Sequence, residues 1–210
     1  MISANDKKLV FLNEITTATI DVAPNTHLLL ACGISKGWSE KQTLTINLSG
    51  EGASLDCFFA LIGFGDATFP FDLIVNHVAK ATRSAIHIRT VLNDTSRVDS
   101  KGYIWIAKSG GESDTYFSHH ALLLSPTTRA HILPSLEIEH NNVKAGHAVT
   151  IGRVDEEILF YCASRGISAR EASQLITRGF LLADSKLIRD SHERELFREK
   201  IDSELYAEQK

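Results

Sequence analysis

The sequence predicts a mainly β protein, built as a solenoid of short strands, that ends in a helical segment. Eleven short segments of β type follow one another between about residue 8 and residue 154, with little helical spacing between them. Asn-Gly and Asp-Gly pairs, which mark tight antiparallel hairpins, are absent from the chain. After Val154 the apolar residues instead recur at helical intervals.

The strand pattern alone leaves a sandwich or a barrel open, and the missing hairpin pairs favour the solenoid. Small or polar residues precede apolar strands at intervals of roughly 20 residues, a spacing that we interpret as one rung of a β-helix. These positions are near Ser54, Ala85, Gly102 and Ala121. The open ends of a solenoid carry unpaired backbone groups, so we expect a cap or a partner to cover them.

Capping residues predict two helices after the last strand. Asp155 is placed to cap the first helix, and Gly166 is placed to end it in a left-handed conformation. Ser168 and Glu171 have the spacing of a capping box, which predicts the start of a second helix. The apolar positions of that helix are Ala172, Leu175, Ile176 and Phe180. We therefore divide the chain into a β domain, residues 1–154, and a helical domain, residues 155–210.

The highly charged segment after Ser185 also has helical periodicity. It is interpreted either as a terminal helix that packs on the body or as a helix that binds a partner. Its apolar positions are Leu187, Ile188, Leu196, Phe197, Ile201 and Leu205.

Composition excludes several classes of protein. The 210 residues carry a formal net charge of −4, which argues against nucleic acid or an anionic membrane as the main partner. The three cysteines are Cys32, Cys57 and Cys162, and their odd number and wide spacing argue against a disulfide framework or a zinc module. The chain starts without a secretory signal pattern and has no apolar run near the ~20 residues of a membrane span. We therefore expect a soluble, cytoplasmic protein.

Common catalytic motifs are missing, whereas histidines are clustered. The chain contains no GxxxxGK[ST] loop, GxGxxG turn, GxSxG elbow or HExxH helix. Five histidines lie close together in the sequence, and imidazole is a common ligand of iron, zinc and copper. They are His119, His120, His131, His140 and His147. One hypothesis is therefore a metal-binding or catalytic β-helix protein that uses His119, His131 and His147.

Two other sets of residues are interpreted as structural. Cys57 and Cys162 lie among apolar and aromatic residues, as buried thiols do. Glu137 and Glu139 are two residues apart on a predicted strand and share a face. A carboxylate pair can bind metal or act as acid and base, but a solvated strand face is the simpler interpretation.

The segments PSLEI, KAGHAVTIGRVDEEILFYCASRGIS and ITRGF are similar to the C-terminal half of the SufB/SufD family of iron–sulfur cluster assembly proteins. Residues 77–107 and the segment HALLLS, residues 120–125, also resemble β-helix rungs of that family. The resemblance extends over about residues 40–190. It implies a right-handed parallel β-helix followed by a small helical domain.

The resemblance also implies a function. Family members pair through the ends of their β-helices and dock through their C-terminal helices on SufC, a cytoplasmic ABC-type ATPase. This chain would be a non-catalytic scaffold that pairs with itself or with a SufB/SufD-like paralogue, and a transient iron–sulfur cluster is the one cofactor implied. The implied docking residues are Phe160, Tyr161, Arg165, Gly166 and Phe180. The implied pairing residues are His119, Leu136, Ile138, His147 and Val149.

Two histidines match functional positions of the family. His147 matches a histidine implicated in cluster formation and is the candidate ligand for metal or cluster. Its neighbours Gly146 and Ala148 resemble those of SufD-like members rather than the acidic neighbours in SufB-like members. His119 aligns with the sulfur-accepting cysteine of SufB-like members, and an imidazole cannot accept sulfur as a thiolate does. The chain therefore resembles a short, divergent member that is SufD-like at its site.

Overall fold

The chain winds as a parallel β-solenoid, in a computed structural model that describes residues 8–12 and 17–207, with side chains for residues 17–205. Strands alternate between two facing sheets, and each strand pairs in parallel with the one two positions along the chain. The strands are β1 Lys8–Leu12, β2 Ala18–Val22, β3 His27–Ile34, β4 Gln42–Leu48, β5 Ser54–Gly63, β6 Thr68–His77, β7 Arg83–Leu92, β8 Arg97–Ile106, β9 Asp114–Leu123, β10 Arg129–Ile138 and β11 Lys144–Arg153. The predicted β-helix followed by helices is confirmed.

The predicted rung of about 20 residues is wrong. Ser54 pairs with Arg83, and Arg83 pairs with Asp114, so one turn of the solenoid takes 29 to 31 residues here. Each turn holds one strand in each sheet and two corners, so consecutive apolar segments belong to different sheets. The shorter interval therefore marked the step between sheets rather than a full turn.

One corner of the solenoid repeats from turn to turn through left-handed residues. The positions with positive φ at this corner are Asn25, Gly52, Ala81 and Glu112. Each donates its backbone N–H to a carbonyl in the next turn: Asn25 to Glu51, Gly52 to Lys80, Ala81 to Gly111 and Glu112 to Asn142. The turns are thus joined at their corners as well as along their strands.

The core lies between the two sheets and is mostly aliphatic and aromatic. Inward and outward residues alternate along β6 and β8, as expected for strands with one solvated face. Phe117 crosses the core toward Gly102, where any Cβ would lie 2.3 Å from the ring. Gly102 therefore leaves the space that the Phe117 ring occupies.

Three helices follow the solenoid: α1 Glu156–Ser164, α2 Ala169–Leu181 and α3 Ser191–Ala207, with a short 3-10 turn at Ser185–Leu187. The predicted caps are confirmed, since Asp155 accepts from the N–H of Glu157, Ser168 and Glu171 form a capping box, and Gly166 has φ of +79°. None of the helices among the described residues is long and apolar enough to cross a bilayer.

The C-terminal helix α3 packs on the outer face of the six-stranded sheet, which agrees with the body-packing interpretation. Phe197, Ile201 and Leu205 are buried in a second core that they share with Leu29 and Phe58 of the sheet. This cover explains why β5 is buried on both faces and reads as a continuous apolar run. The helices therefore brace the side of the solenoid rather than cap its end.

Candidate functional site

The last turn of the solenoid leaves an open end formed by β10 and β11. No further strand follows either of them among the described residues, so both have a free edge. Their inward side chains continue the core rows of the preceding turn, because Val149 is opposite His119 and Leu136 is opposite Ile104. Ile138 and Ile151 of these rows are 44% and 46% exposed. The end thus presents an uncovered section of the core.

His147 lies in this uncovered section. It is opposite Phe117 in the strand register and therefore belongs to the inward row of β11. Its side chain is exposed, because no turn stacks above it. Among the described residues no hydrogen bond or ion pair involves this imidazole, which is exposed at the open end.

His119 lies one layer below and has no exposed surface. Its Nε2 is 2.8 Å from Thr90 Oγ1, and its Nδ1 is 3.2 Å from Ser100 Oγ. Burial lowers the pKa of His119 to about 3, and the neighbouring His120 adds to the shift. A neutral imidazole with both nitrogens occupied has no free lone pair for a metal and no surface for a partner. The expectation that His119 contacts a pairing partner directly is therefore wrong.

The histidine cluster of the sequence is dispersed by the fold. His131 lies on the outer face of the five-stranded sheet and pairs with Asp99 at 2.9 Å. His140 follows β10, and its Nδ1 accepts from the N–H of Asn142. His120 points away from the core and lies 2.7 Å from Thr150 Oγ1. No group of three or more His, Cys, Asp or Glu among the described residues is placed to hold a metal. The three-histidine hypothesis therefore has no site.

The other interpreted residues are mostly where the sequence placed them. Glu137 and Glu139 share the exposed outer face of β10, where Glu137 accepts from the Tyr103 hydroxyl and Glu139 accepts from Trp105 Nε1 at 3.3 Å. Cys57 is fully buried, and burial raises the pKa of its thiol. Cys162 is only partly buried, because helix α1 is not covered by the body.

Helix α1 is an exposed apolar element. It has no buried residue, and Ile158, Phe160 and Tyr161 are 49%, 76% and 58% exposed. The guanidinium of Arg165 lies 5.3 Å from the centre of the Tyr161 ring. Exposed apolar patches of this kind are typical of interaction surfaces.

Phe180 differs from the other implied docking residues, because it faces the body. It packs against the second core, and the guanidinium of Arg89 lies 4.9 Å from its ring centre. Arg89 also binds Asp184 with two hydrogen bonds, of 2.6 and 3.2 Å. Sequence reasoning missed Arg89 and Asp184, which attach the end of α2 to the sheet. Alternation along β7 indicates that Arg89 points outward, but no local signal identifies its partner.

The family model described as "SUF system FeS cluster assembly, SufBD core domain" matches residues 13–180. SufD of Bacillus subtilis (strain 168) is 34% identical over 137 residues, covering 65% of this chain and 31% of SufD. SufD of Escherichia coli (strain K12) is 32% identical over 102 residues, covering 49% of this chain and 24% of SufD.

SufB of Bacillus subtilis (strain 168) is 26% identical over 151 residues, covering 72% of this chain and 30% of SufB. The chain thus spans less than a third of the length of these relatives. The family match, however, covers most of the solenoid and continues through α1 to the last turn of α2. By its sequence, this chain belongs to the SufBD family.

Proposed function

We propose that this chain is a scaffold subunit of a SUF-type iron–sulfur cluster assembly complex. Its open solenoid end pairs with a SufB/SufD-type subunit, and its helical arm docks a SufC-like ABC ATPase in the cytoplasm. The chain itself performs no catalysis. The observation that carries the proposal is the coexistence, in a member of the SufBD family, of two uncovered apolar surfaces: the open end around His147 and helix α1.

The open end is suited to assembly because it exposes both unpaired backbone groups and apolar side chains. The free edges of β10 and β11 carry backbone donors and acceptors, and the exposed core rows carry apolar surface. A partner that continues both sheets would form hydrogen bonds with these backbone groups and bury the apolar surface. His147 then lies at the seam between the two subunits, where its imidazole can ligate iron of a nascent cluster.

The helical arm, which consists of α1, α2 and α3, is suited to docking because α2 and α3 are attached to the solenoid while α1 is exposed. The Arg89–Asp184 ion pair and the buried residues of α2 and α3 fix the arm on the solenoid. Helix α1 projects its aromatic residues outward. An ATPase that binds α1 would therefore move the arm and the solenoid together.

Truncation of the aromatic pair tests the docking surface. We expect the double variant Phe160→Ala, Tyr161→Ala to bind the cognate ATPase at least about tenfold more weakly, because exposed aromatic anchors carry much of the energy of an interface. Isothermal titration calorimetry measures the Kd. The matched control is Leu133→Ala, because Leu133 is 50% exposed but lies on β10 rather than on the helix. Equal affinity of all three proteins would contradict docking through α1.

Replacement of His147 tests the cluster site. Anaerobic reconstitution of the purified complex with ferrous iron and sulfide should load less cluster on His147→Ala, with iron retained at least about tenfold more weakly, since loss of even an outer-shell partner costs that much. Iron and sulfide analysis after desalting gives the readout. Val149→Ala, on the same inward row, is the control. Unchanged loading in His147→Ala would remove the imidazole from the proposal.

A further inference from the structure

A cavity lies between helix α2 and the side of the solenoid. It has about 470 Å³ of space, part of which is open to solvent, and this is within the usual size range of small-molecule sites. Its walls belong to helix α2, the end of helix α3 and one corner of three successive solenoid turns. None of the described residues that line it belongs to the open end or to helix α1.

The corner wall of the cavity holds one polar residue between two apolar ones. Phe64, Asn93 and Leu124 are the first residues after β5, β7 and β9. They stack from turn to turn, because each follows directly on strands that pair in register. Phe64 and Leu124 pack against the second core, so Asn93 points the same way, toward the helices. The carboxamide of Asn93 makes no hydrogen bond with any described residue and therefore offers the cavity both a donor and an acceptor.

Thr177 supplies a second unpartnered polar group from the helix wall. The residue is only 4% exposed, yet its hydroxyl bonds to no described residue, and Ser173 C=O, the usual partner one turn earlier, does not accept from it. Among the described residues, the unpartnered side-chain atoms that are fully sealed from solvent are Asp72 Oδ1 and Arg198 Nε. The Thr177 oxygen is not one of them. Because the rest of Thr177 is packed, this oxygen opens into the cavity that the residue lines.

The cavity combines apolar surface with neutral polar groups. Phe64, Leu124 and Leu205 form its apolar part. Among the described residues of its wall Arg178 alone is ionisable, and Asp202 neutralises it through hydrogen bonds of 2.6 and 2.9 Å. A charged ligand would find no free opposite charge here. Water can satisfy the polar groups but not the apolar wall, and a hydrocarbon leaves the polar groups unpaired.

We infer that this cavity binds a small neutral molecule that has an apolar ring at one end and a carboxamide edge at the other. The ring packs against Phe64 and Leu124, and the carboxamide exchanges hydrogen bonds with Asn93 and Thr177. A carboxamide matches this polar wall, because it carries one acceptor and one donor group, as Asn93 does, while a hydroxyl can act in either role. The ligand bridges α2 and the middle turns of the solenoid, so its binding also stabilises the attachment of the helical arm.

Benzamide is the probe that tests this inference, in two-dimensional NMR titrations of the isotope-labelled full chain. It should shift the amide signals of the residues that line the cavity and reach saturation, which gives a Kd. Thr177→Val keeps the side-chain shape and should weaken benzamide binding at least about tenfold, because one partner of a buried hydrogen bond is lost. Benzoate, which has the same shape and a negative charge, should bind the wild type at least about tenfold more weakly than benzamide. Asn141→Leu, at the opposite corner of the solenoid, is the matched control and should leave the Kd unchanged.

Toluene provides a test in the opposite direction. The wild type should prefer benzamide, whereas the double variant Asn93→Leu, Thr177→Val should prefer toluene, because its cavity is apolar throughout. Such a reversal supports the inference and shows that the variant is folded with its cavity intact. Absence of cavity shifts with benzamide up to its solubility limit would overturn the inference. So would wild-type protein that binds toluene or benzoate as tightly as benzamide, a comparison that needs no variant. The titrations use neither an ATPase nor a pairing partner, so their failure leaves the proposed function intact.

Discussion

Acidification from pH 7 to pH 5 should destabilise the protein by about 4 kcal/mol, a large fraction of the stability of a typical domain. The cause is a pair of buried histidines. Burial lowers the pKa of His119 to about 3 and that of His77 to about 4, so both stay neutral in the folded chain at pH 5. In the unfolded chain they take up a proton near pH 6.5. Stability is therefore full above that pH and falls as the pH decreases, by about 2 kcal/mol for each histidine.

Urea unfolding at the two pH values measures this effect. The matched variant is His119→Leu, which removes one of the two titrating groups. Its absolute stability changes because Thr90 and Ser100 lose their partner, but the difference between pH 7 and pH 5 should shrink by about 2 kcal/mol. His77→Leu is a second, independent test, because His77 lies in a separate hydroxyl network with Thr82 and Ser84. A pH difference that is the same in both variants and in the wild type would contradict the assignment.

Removal of Arg89 should release the helical arm at a cost of about 3 kcal/mol, because breaking a largely buried ion pair leaves one charge without compensation. In Arg89→Met the Asp184 carboxylate, which is 18% exposed, loses the guanidinium that neutralises it. The Phe180 ring loses its contact with the same guanidinium. Thermal unfolding and amide exchange of α2 measure the change. The amides of α2 should lose protection, while those of β4, which lies in the opposite sheet, should keep theirs.

The double variant Arg89→Met, Asp184→Leu is the control for this effect. Removing both charges leaves no buried carboxylate unpaired, and most of the lost stability should return. A double variant as unstable as Arg89→Met would instead mean that the aliphatic and cation–π contacts of Arg89 with Phe180 carry the attachment.

Sequence reasoning located the strands, the helix caps and the family, because each of these has a local signal. The rung length had no such signal. Left-handed corner positions are normally marked by glycine, but three of the four are filled by Asn25, Ala81 and Glu112. These positions are set by the stacking of corner hydrogen bonds between turns, which is a long-range effect.

The candidate site was predictable to a similar degree. Motif similarity selected His147, and the register places it at the open end. Alternation along a strand places adjacent residues such as His119 and His120 on opposite faces, but it does not indicate which of the two imidazoles points inward. Burial of His119 depends on Thr90 and Ser100, which lie 29 and 19 residues away in the sequence. The family resemblance implied that Phe180 contacts a partner, and helical periodicity could not test this, because it identifies an apolar face without identifying what covers it.

The placement of α2 and α3 along the side of the solenoid has a consequence for folding cooperativity. A bare stack of turns unfolds gradually from its ends, because each turn contacts only its neighbours. Here the second core joins residues of β3, β5, β7 and β9 to the same two helices, so the middle turns cannot open one at a time. Among the described residues, no buried residue of β10 or β11 belongs to the second core that α2 and α3 form with the sheet. Those two strands are therefore free to fray until a partner strand pairs with them.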